Sequence, residues 1–169
     1  MTAFLLVLIF APMLIEARRA AHNERAQRAR GGVEPRGDVY RLMAVAYPVA
    51  FLAMVVEGAI RGGPPPLVFA EGLAVFGAAK ALKWWAIRSL GESWTFRVIV
   101  VPGGARVAAG PYRYLRHPNY VAVAGELVGA ALMAGALIAG PLGATVFMAL
   151  MLRRIAVENA ALDAILPPT

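Results

Sequence analysis

Four runs of this chain have the length and apolar purity of bilayer spans: residues 2–15, 42–60, 66–82 and 120–139. A fifth, residues 141–152, is short and becomes a span only if its helix continues past Arg153. A hydrocarbon core requires ~20 residues of helix, since no water there satisfies a free backbone amide or carbonyl. The first and last runs therefore lean on snorkelling flanks or a locally thinned bilayer. At 60% hydrophobic residues and a mean hydropathy of +0.64, the chain is too apolar for an ordinary soluble domain. The expectation is an all-α integral membrane protein of about five transmembrane helices, the last two forming a C-terminal hairpin. Nothing repeats along residues 1–169, which read as one domain, with N-terminal helices in 1–87 and a functional half in 88–169.

The net charge of +7 invites a nucleic-acid reading, but its distribution argues against one. Seven arginines from Arg18 to Arg41 lie in or beside the first connection, and seven basic residues from Lys80 to Arg116 in or beside the third. Arg153 and Arg154 follow the fifth run, leaving only Arg61 of 17 basic residues for the opposite side. That is the positive-inside pattern: an extracytoplasmic N-terminus, a cytoplasmic C-terminus, and basic loops facing anionic headgroups, as in a bacterial inner membrane. The apolar run at residues 2–15 has its arginines after it, the reverse of signal-peptide order. With no cysteine and only His22 and His117, thiolate chemistry and a histidine-rich metal site are excluded.

Breakers divide the rest. Pro12 predicts a kink or a re-satisfied backbone group, and residues 16–30 extend the first helix along the membrane surface with Glu24 and Arg28 at i,i+4. Gly31-Gly32 and Pro35-Arg36-Gly37 end it, the stretch Arg61 to Pro66 makes an extracytoplasmic turn, and Gly140-Pro141 makes the last one. Residues 88–115 form a long polar connection, expected to be a structured cytoplasmic cap. Within it, Val98-Ile99-Val100-Val101 before Pro102-Gly103-Gly104 suits a short hairpin. Pro118 suits the first position of the fourth helix and His117 its N-cap, so the positive dipole end faces the cytoplasm and suits a carboxylate or phosphate. Gly125 and Gly129 permit close helix approach, within the chain or between copies.

The chemistry-bearing residues lie on both sides of the last hairpin. Arg116-His117-Pro118-Asn119-Tyr120-Val121-Ala122 precedes it and Arg154-Ile155-Ala156-Val157-Glu158-Asn159 follows it. Upstream stand Leu90-Gly91-Glu92-Ser93-Trp94, Val98-Ile99-Val100-Val101-Pro102-Gly103 and Gly110-Pro111-Tyr112-Arg113-Tyr114. In this order the motifs resemble the isoprenylcysteine carboxyl methyltransferase family, whose signature is RHPxYxG, a hydrophobic span, and a glutamate pair often preceded by RIxx. The resemblance covers residues 88–162. Two positions depart from it: Ala122 replaces the closing glycine, and Asn159 replaces the second glutamate with a group that still hydrogen-bonds.

The resemblance implies S-adenosylmethionine as methyl donor, held on the cytoplasmic side between the last two helices and the cap. It assigns Arg116, His117, Pro118, Asn119, Tyr120, Glu158 and Asn159 to cofactor binding. His117 would bond the amino-acid carboxylate or a ribose hydroxyl, Tyr120 wall the adenosine, and Glu158, supported by Asn159, accept from ribose or ammonium. Arg154 would hold an anionic acceptor, a lipophilic carboxylate or phenolate arriving from the bilayer, for methylation on oxygen. Glu126, buried in a predicted span, is assigned to the acceptor tunnel or to pairing with Lys80 or Lys83.

Plainer readings stand beside these. A histidine at a helix start is commonly a cap; Trp84, Trp85 and Trp94 suit an aromatic belt; Arg154 and Glu158 suit an i,i+4 pair. Glu57 with Arg61 suits a structural pair, Glu71 lies nearer the same surface, Arg153 suits a headgroup and His22 solvent. The alternative functions are a lipid amine N-methyltransferase, an NADPH-dependent membrane reductase of related architecture, and a non-catalytic lipid-binding protein, which Asn159 would favour.

Overall fold

The computed structural model describes residues 1–165, and among these the chain forms five α-helices, two short 3-10 turns in the cap and no multi-residue strand. They are α1 Thr2–Ala29, α2 Tyr40–Arg61, α3 Pro66–Leu90, α4 Pro118–Ala134 and α5 Ala139–Ile165. Two of them, α2 and α5, each contain a stretch long and apolar enough to cross a membrane, and α4 is a shorter apolar helix. In α1 and α3 the apolar part passes into a charged one. α1 runs unbroken through Pro12 for 28 residues, about 42 Å at ~1.5 Å per residue. α3 continues past residue 82 to Leu90, carrying Lys83 and Arg88 on its final turns.

The last connection falls earlier than Gly140-Pro141. α4 ends at Ala134, Gly135 takes the left-handed conformation at φ 68°, and α5 begins at Ala139 with Pro141 inside its first turn. Glu57, at the end of α2, explains the shift. Its carboxylate accepts the N–H groups of Leu137 (3.0 Å), Ile138 (3.1 Å) and Ala139 (2.6 Å), filling orphan donors at the start of α5. Arg61, the expected partner, is more distant at 3.9 Å. Beyond Arg153, α5 continues to Ile165, which satisfies the condition for the fifth run to act as a span.

α4 touches each of the other four helices and sits at the centre of the bundle. Its approach to α3 is set by missing side chains. A Cβ on Gly129 would lie 2.6 Å from Phe76 N, one on Gly72 2.6 Å from Met133 N, and one on Gly125 2.9 Å from Ala79 Cβ. The Gly125/Gly129 face is therefore used within the chain. Phe51, Met54, Leu127 and Met133 fill the remaining core, while Val45, Val49, Leu52, Val56, Leu142 and Val146 face outward from α2 and α5. Outward leucines and valines in this number suit acyl chains and not water.

The cap is held from below by α1. Asn23 Nδ2 donates to Gly91 O (3.1 Å) and Trp94 O (2.7 Å), and Gln27 Nε2 to Glu92 O (3.0 Å). Trp94, expected at the lipid interface, is buried between Ala20 and Ile87, whereas Trp85 is exposed. The expected hairpin within residues 98–104 does not form. Val100 instead pairs antiparallel with Val33 from the first connection, and Val98 and Val100 pack on Ala161. Pairing with a distant segment buries these valines on both sides, which a two-stranded turn cannot do.

Gly129→Val should cost about 1–3 kcal/mol of stability by forcing α3 and α4 apart. Thermal unfolding in detergent checks this against Gly77→Val, where a Cβ meets nothing within 4 Å and little change is expected.

Candidate active site

Two cross-helix bonds join the start of α4 to the late turns of α5. Pro118 occupies the first helical position, where a missing N–H costs nothing. His117 precedes it but makes no side-chain cap. Its Nε2 lies 3.1 Å from Asn159 Oδ1, and an Oδ1 acceptor requires the ring proton on Nε2. One turn on, Tyr120 Oη donates to Glu158 Oε2 at 2.6 Å.

Arg154 fixes this pair. Its Nε donates to Tyr120 Oη (2.9 Å), so the tyrosine hydroxyl sits between Arg154 and Glu158 where a direct i,i+4 pair was the plain expectation. Arg154 Nη1 bonds Asp38 Oδ1 at 2.9 Å, and Nη2 donates to the carbonyl of Phe96. Asp38 also accepts Val98 N–H at Oδ2 (2.9 Å) and Tyr40 N–H at Oδ1 (3.0 Å). The Arg154 and Asp38 side chains are 7% and 4% exposed. A buried pair of this kind is tolerable only with good geometry and its remaining polar atoms satisfied.

Beneath these bonds lies a cavity of about 760 Å³. Arg116, His117, Asn119, Tyr120, Arg154, Glu158 and Asn159 all line it, with Met13, Met43, Val123 and Phe147 supplying apolar wall. Tyr112 also faces it; burial and then the nearby Glu158 charge push its phenol above the ordinary value, so the hydroxyl stays a donor. Asn119 Oδ1 is buried without a protein partner among the described residues. An orphaned acceptor in a cavity wall calls for a ligand donor, and an ammonium, a ribose hydroxyl or an adenine amine each provides one. Glu158, half-buried, spends Oε2 on Tyr120 and keeps Oε1 for a ligand or solvent. These acceptors suit the ammonium, ribose hydroxyls and adenine amine of an amino-acid nucleoside.

Residues 72–164, more than half of the chain, match the family model described as Isoprenylcysteine carboxyl methyltransferase (ICMT) family. The chain belongs to this family. The match takes in most of α3, the cap, α4 and nearly all of α5, the elements that build the cavity's polar end. Membership implies an integral membrane protein and an S-adenosylmethionine-dependent methyltransferase acting on a lipophilic substrate. The chain is 27% identical over 124 residues to "Uncharacterized protein YpbQ" of Bacillus subtilis (strain 168), covering 73% of this chain and 74% of that one. It is 25% identical over 146 residues to an "Uncharacterized protein" of Haemophilus influenzae (strain ATCC 51907 / DSM 11121 / KW20 / Rd), covering 86% and 85%. No solved structure matches the chain.

Of the residues singled out in the sequence, Pro118 begins α4 behind the wall, and Glu126 lies off the wall as well. Glu126 is held by Lys80 and Lys83, each 3.2 Å away, the pairing that stood beside the tunnel assignment. Arg154, expected to hold an anionic acceptor, has all three guanidinium nitrogens engaged by protein groups and its charge matched by Asp38. Asp38 and Tyr47 escaped the sequence reading, and Tyr112 entered it only as part of the Gly110-Pro111-Tyr112-Arg113-Tyr114 motif, without a role. Asp38 carried no signal that set it apart from Glu24 and Glu34 among the arginines of the first connection, and Tyr47 in an apolar helix carried none.

Asp38→Ala should destabilise the protein by about 3 kcal/mol or more, because it leaves a buried guanidinium uncompensated. It should also loosen the Phe96–Val98 strap. Thermal unfolding together with limited proteolysis of the cap checks both effects.

Proposed function

We propose that the protein transfers a methyl group from S-adenosylmethionine to an oxygen of a lipophilic acceptor, at a site facing the cytoplasm. The observation that carries this reading is a single cavity, polar at the α4–α5 junction and apolar along Met13, Met43 and Phe147. When bound, the cofactor supplies a methyl group already activated on a sulfonium. The chain's own residues therefore bind, orient and keep water out.

In this reading Asn119 Oδ1 and Glu158 Oε1 accept from the ammonium, the ribose hydroxyls or the adenine amine. Arg116 and the positive dipole end at the start of α4 receive the amino-acid carboxylate. His117, fixed by Asn159, and Tyr120, its ring centroid 5.5 Å from the imidazole, wall the nucleoside. Arg154 acts as a positioning residue: anchored by Asp38, it sets the Tyr120 hydroxyl and through it Glu158. Asn159 serves as the orienting partner of His117, a task that an amide performs and a second carboxylate is not required for. The apolar wall takes the acceptor's hydrocarbon and excludes water. The distribution of arginines supports a cytoplasmic position for this end of the bundle, the side on which the donor is available.

Adenosylhomocysteine should raise the melting temperature of the detergent-purified protein, and NADPH should not. Glu158→Ala should weaken that binding about 10–100-fold, the range for losing a hydrogen bond to a charged group. Membranes incubated with a labelled methyl donor should yield a labelled lipid ether or ester. No thermal response to adenosylhomocysteine, with no labelled lipid, would sink the reading.

A further inference from the structure

A second set of charges borders the same cavity and has no part in holding the cofactor. Lys80 Nζ lies 2.8 Å from Glu16 Oε1 and 3.2 Å from Glu126 Oε1; Lys83 Nζ lies 2.8 Å from Glu16 Oε2 and 3.2 Å from Glu126 Oε2. Tyr47 donates to Glu126, and its ring lies 5.4 Å from Lys83 Nζ. These groups come from four helices: Glu16 from α1, Tyr47 from α2, the lysines from α3 and Glu126 from α4. Side-chain exposure is 1% for each glutamate, 3% for Lys83 and 14% for Lys80.

As glue the cluster makes little sense, because packed apolar side chains hold such a contact as well or better. Its position is more telling. Glu16, Tyr47 and Lys83 line the cavity, while Lys80 and Glu126 stand behind them. Asn119, Val123 and Glu126 follow one face of α4, which puts the cluster about 10 Å along the helix from the cofactor end. Its charge is balanced, two carboxylates against two ammoniums. An acceptor arriving as a carboxylate would bring an uncompensated negative charge into it; a neutral hydroxyl would not.

We propose that Glu16 and Lys83 form the acceptor-oxygen site, and that the acceptor enters neutral, carrying a weakly acidic hydroxyl of the phenol or enol class. The inference rests on the methyl-transfer reading above. The acceptor O–H breaks and its proton passes to the Glu16 carboxylate, leaving the electron pair on oxygen. With Glu16 neutral, the cluster carries one net positive charge, and Lys83 holds the new oxyanion beside it. The oxyanion forms the C–O bond as the C–S bond breaks, its pair going to sulfur, and a neutral thioether leaves. Glu16 then releases the proton to water, so the sulfonium's charge leaves as that proton. Around Glu16 the groups that shape its protonation are Lys80 and Lys83 from α3, Tyr47 from α2 and Glu126 from α4.

The test uses the full chain in detergent with two acceptors, a long-chain alkylphenol and its more acidic alkylnitrophenol analogue, whose phenolate absorbs visibly. Glu16→Gln should lower turnover of the alkylphenol about 100-fold or more, the range for a lost general base. The nitrophenol, largely ionised beforehand, should lose far less, and activity on the alkylphenol should recover as pH rises. Without cofactor, the wild type should bind the nitrophenol with a phenolate spectrum at a pH where the free compound in detergent is neutral. Lys83→Met should abolish that spectrum and Lys83→Arg retain it. If Glu16→Gln folds poorly, the charge-balanced pair Glu16→Gln with Lys80→Met carries the same comparison. Equal losses on both phenols, an unchanged spectrum in Lys83→Met, or faster wild-type methylation of a fatty acid than of the alkylphenol would each overturn the proposal. A protein that neither binds adenosylhomocysteine nor methylates either phenol fails at the earlier reading instead.

Discussion

Arg154 joins the parts of this molecule that distance along the chain would otherwise keep separate. Its three nitrogens reach Asp38 at the head of α2, Phe96 in the cap and Tyr120 at the start of α4. A guanidinium buried this deeply is unfavourable until every one of those partners is in place. Its pairing is therefore conditional on the whole assembly, and the cavity exists only when the assembly does. The Tyr120–Glu158 and His117–Asn159 bonds then lie on a frame already fixed on both sides.

The same logic of satisfying stranded groups sets the opposite end of the bundle. A four-residue link between α4 and α5 leaves backbone donors that cannot be served within the helix. Glu57 serves them from α2, which ties three helices together at the turn. With α4 only 17 residues long and pressed onto α3 through Gly72, Gly125 and Gly129, its first turn is held at a defined depth. That depth decides where Asn119 and Tyr120 meet the late turns of α5.

How much of this was readable from the residues depended on whether the signal was local. Apolar runs, proline at a helix start and the order of the motifs are local, so α2 and the start of α4 were legible, and the resemblance placed that start near Glu158 and Asn159 without foreseeing their bonds. Bonds between segments far apart were not. Asp38 and Val98 are 60 residues apart, and Asp38 and Arg154 are 116 apart. The α4–α5 turn was misplaced because Gly140-Pro141 has the composition of a turn, whereas proline is equally at home in the first turn of a helix. Trp94 was misjudged for a related reason: an interfacial tryptophan and one buried beneath a cap look identical until the partner helices are known.

Glu126 shows how far a buried charge can be taken as a guide. Alone in an apolar helix it pointed to function by cost, since an unpaired carboxylate in that setting is strongly disfavoured. Its two lysines and Tyr47 remove that cost without removing the question, because the same partners lead to Glu16 and Lys83 on the cavity wall. A charge-balanced network beside the cavity can take up a proton from a ligand while its cations remain to hold the anion left behind. An isolated acid cannot, because its protonation leaves nothing positive nearby. That difference makes the cluster chemically capable and places the acid of interest on α1, the helix whose motifs were least informative.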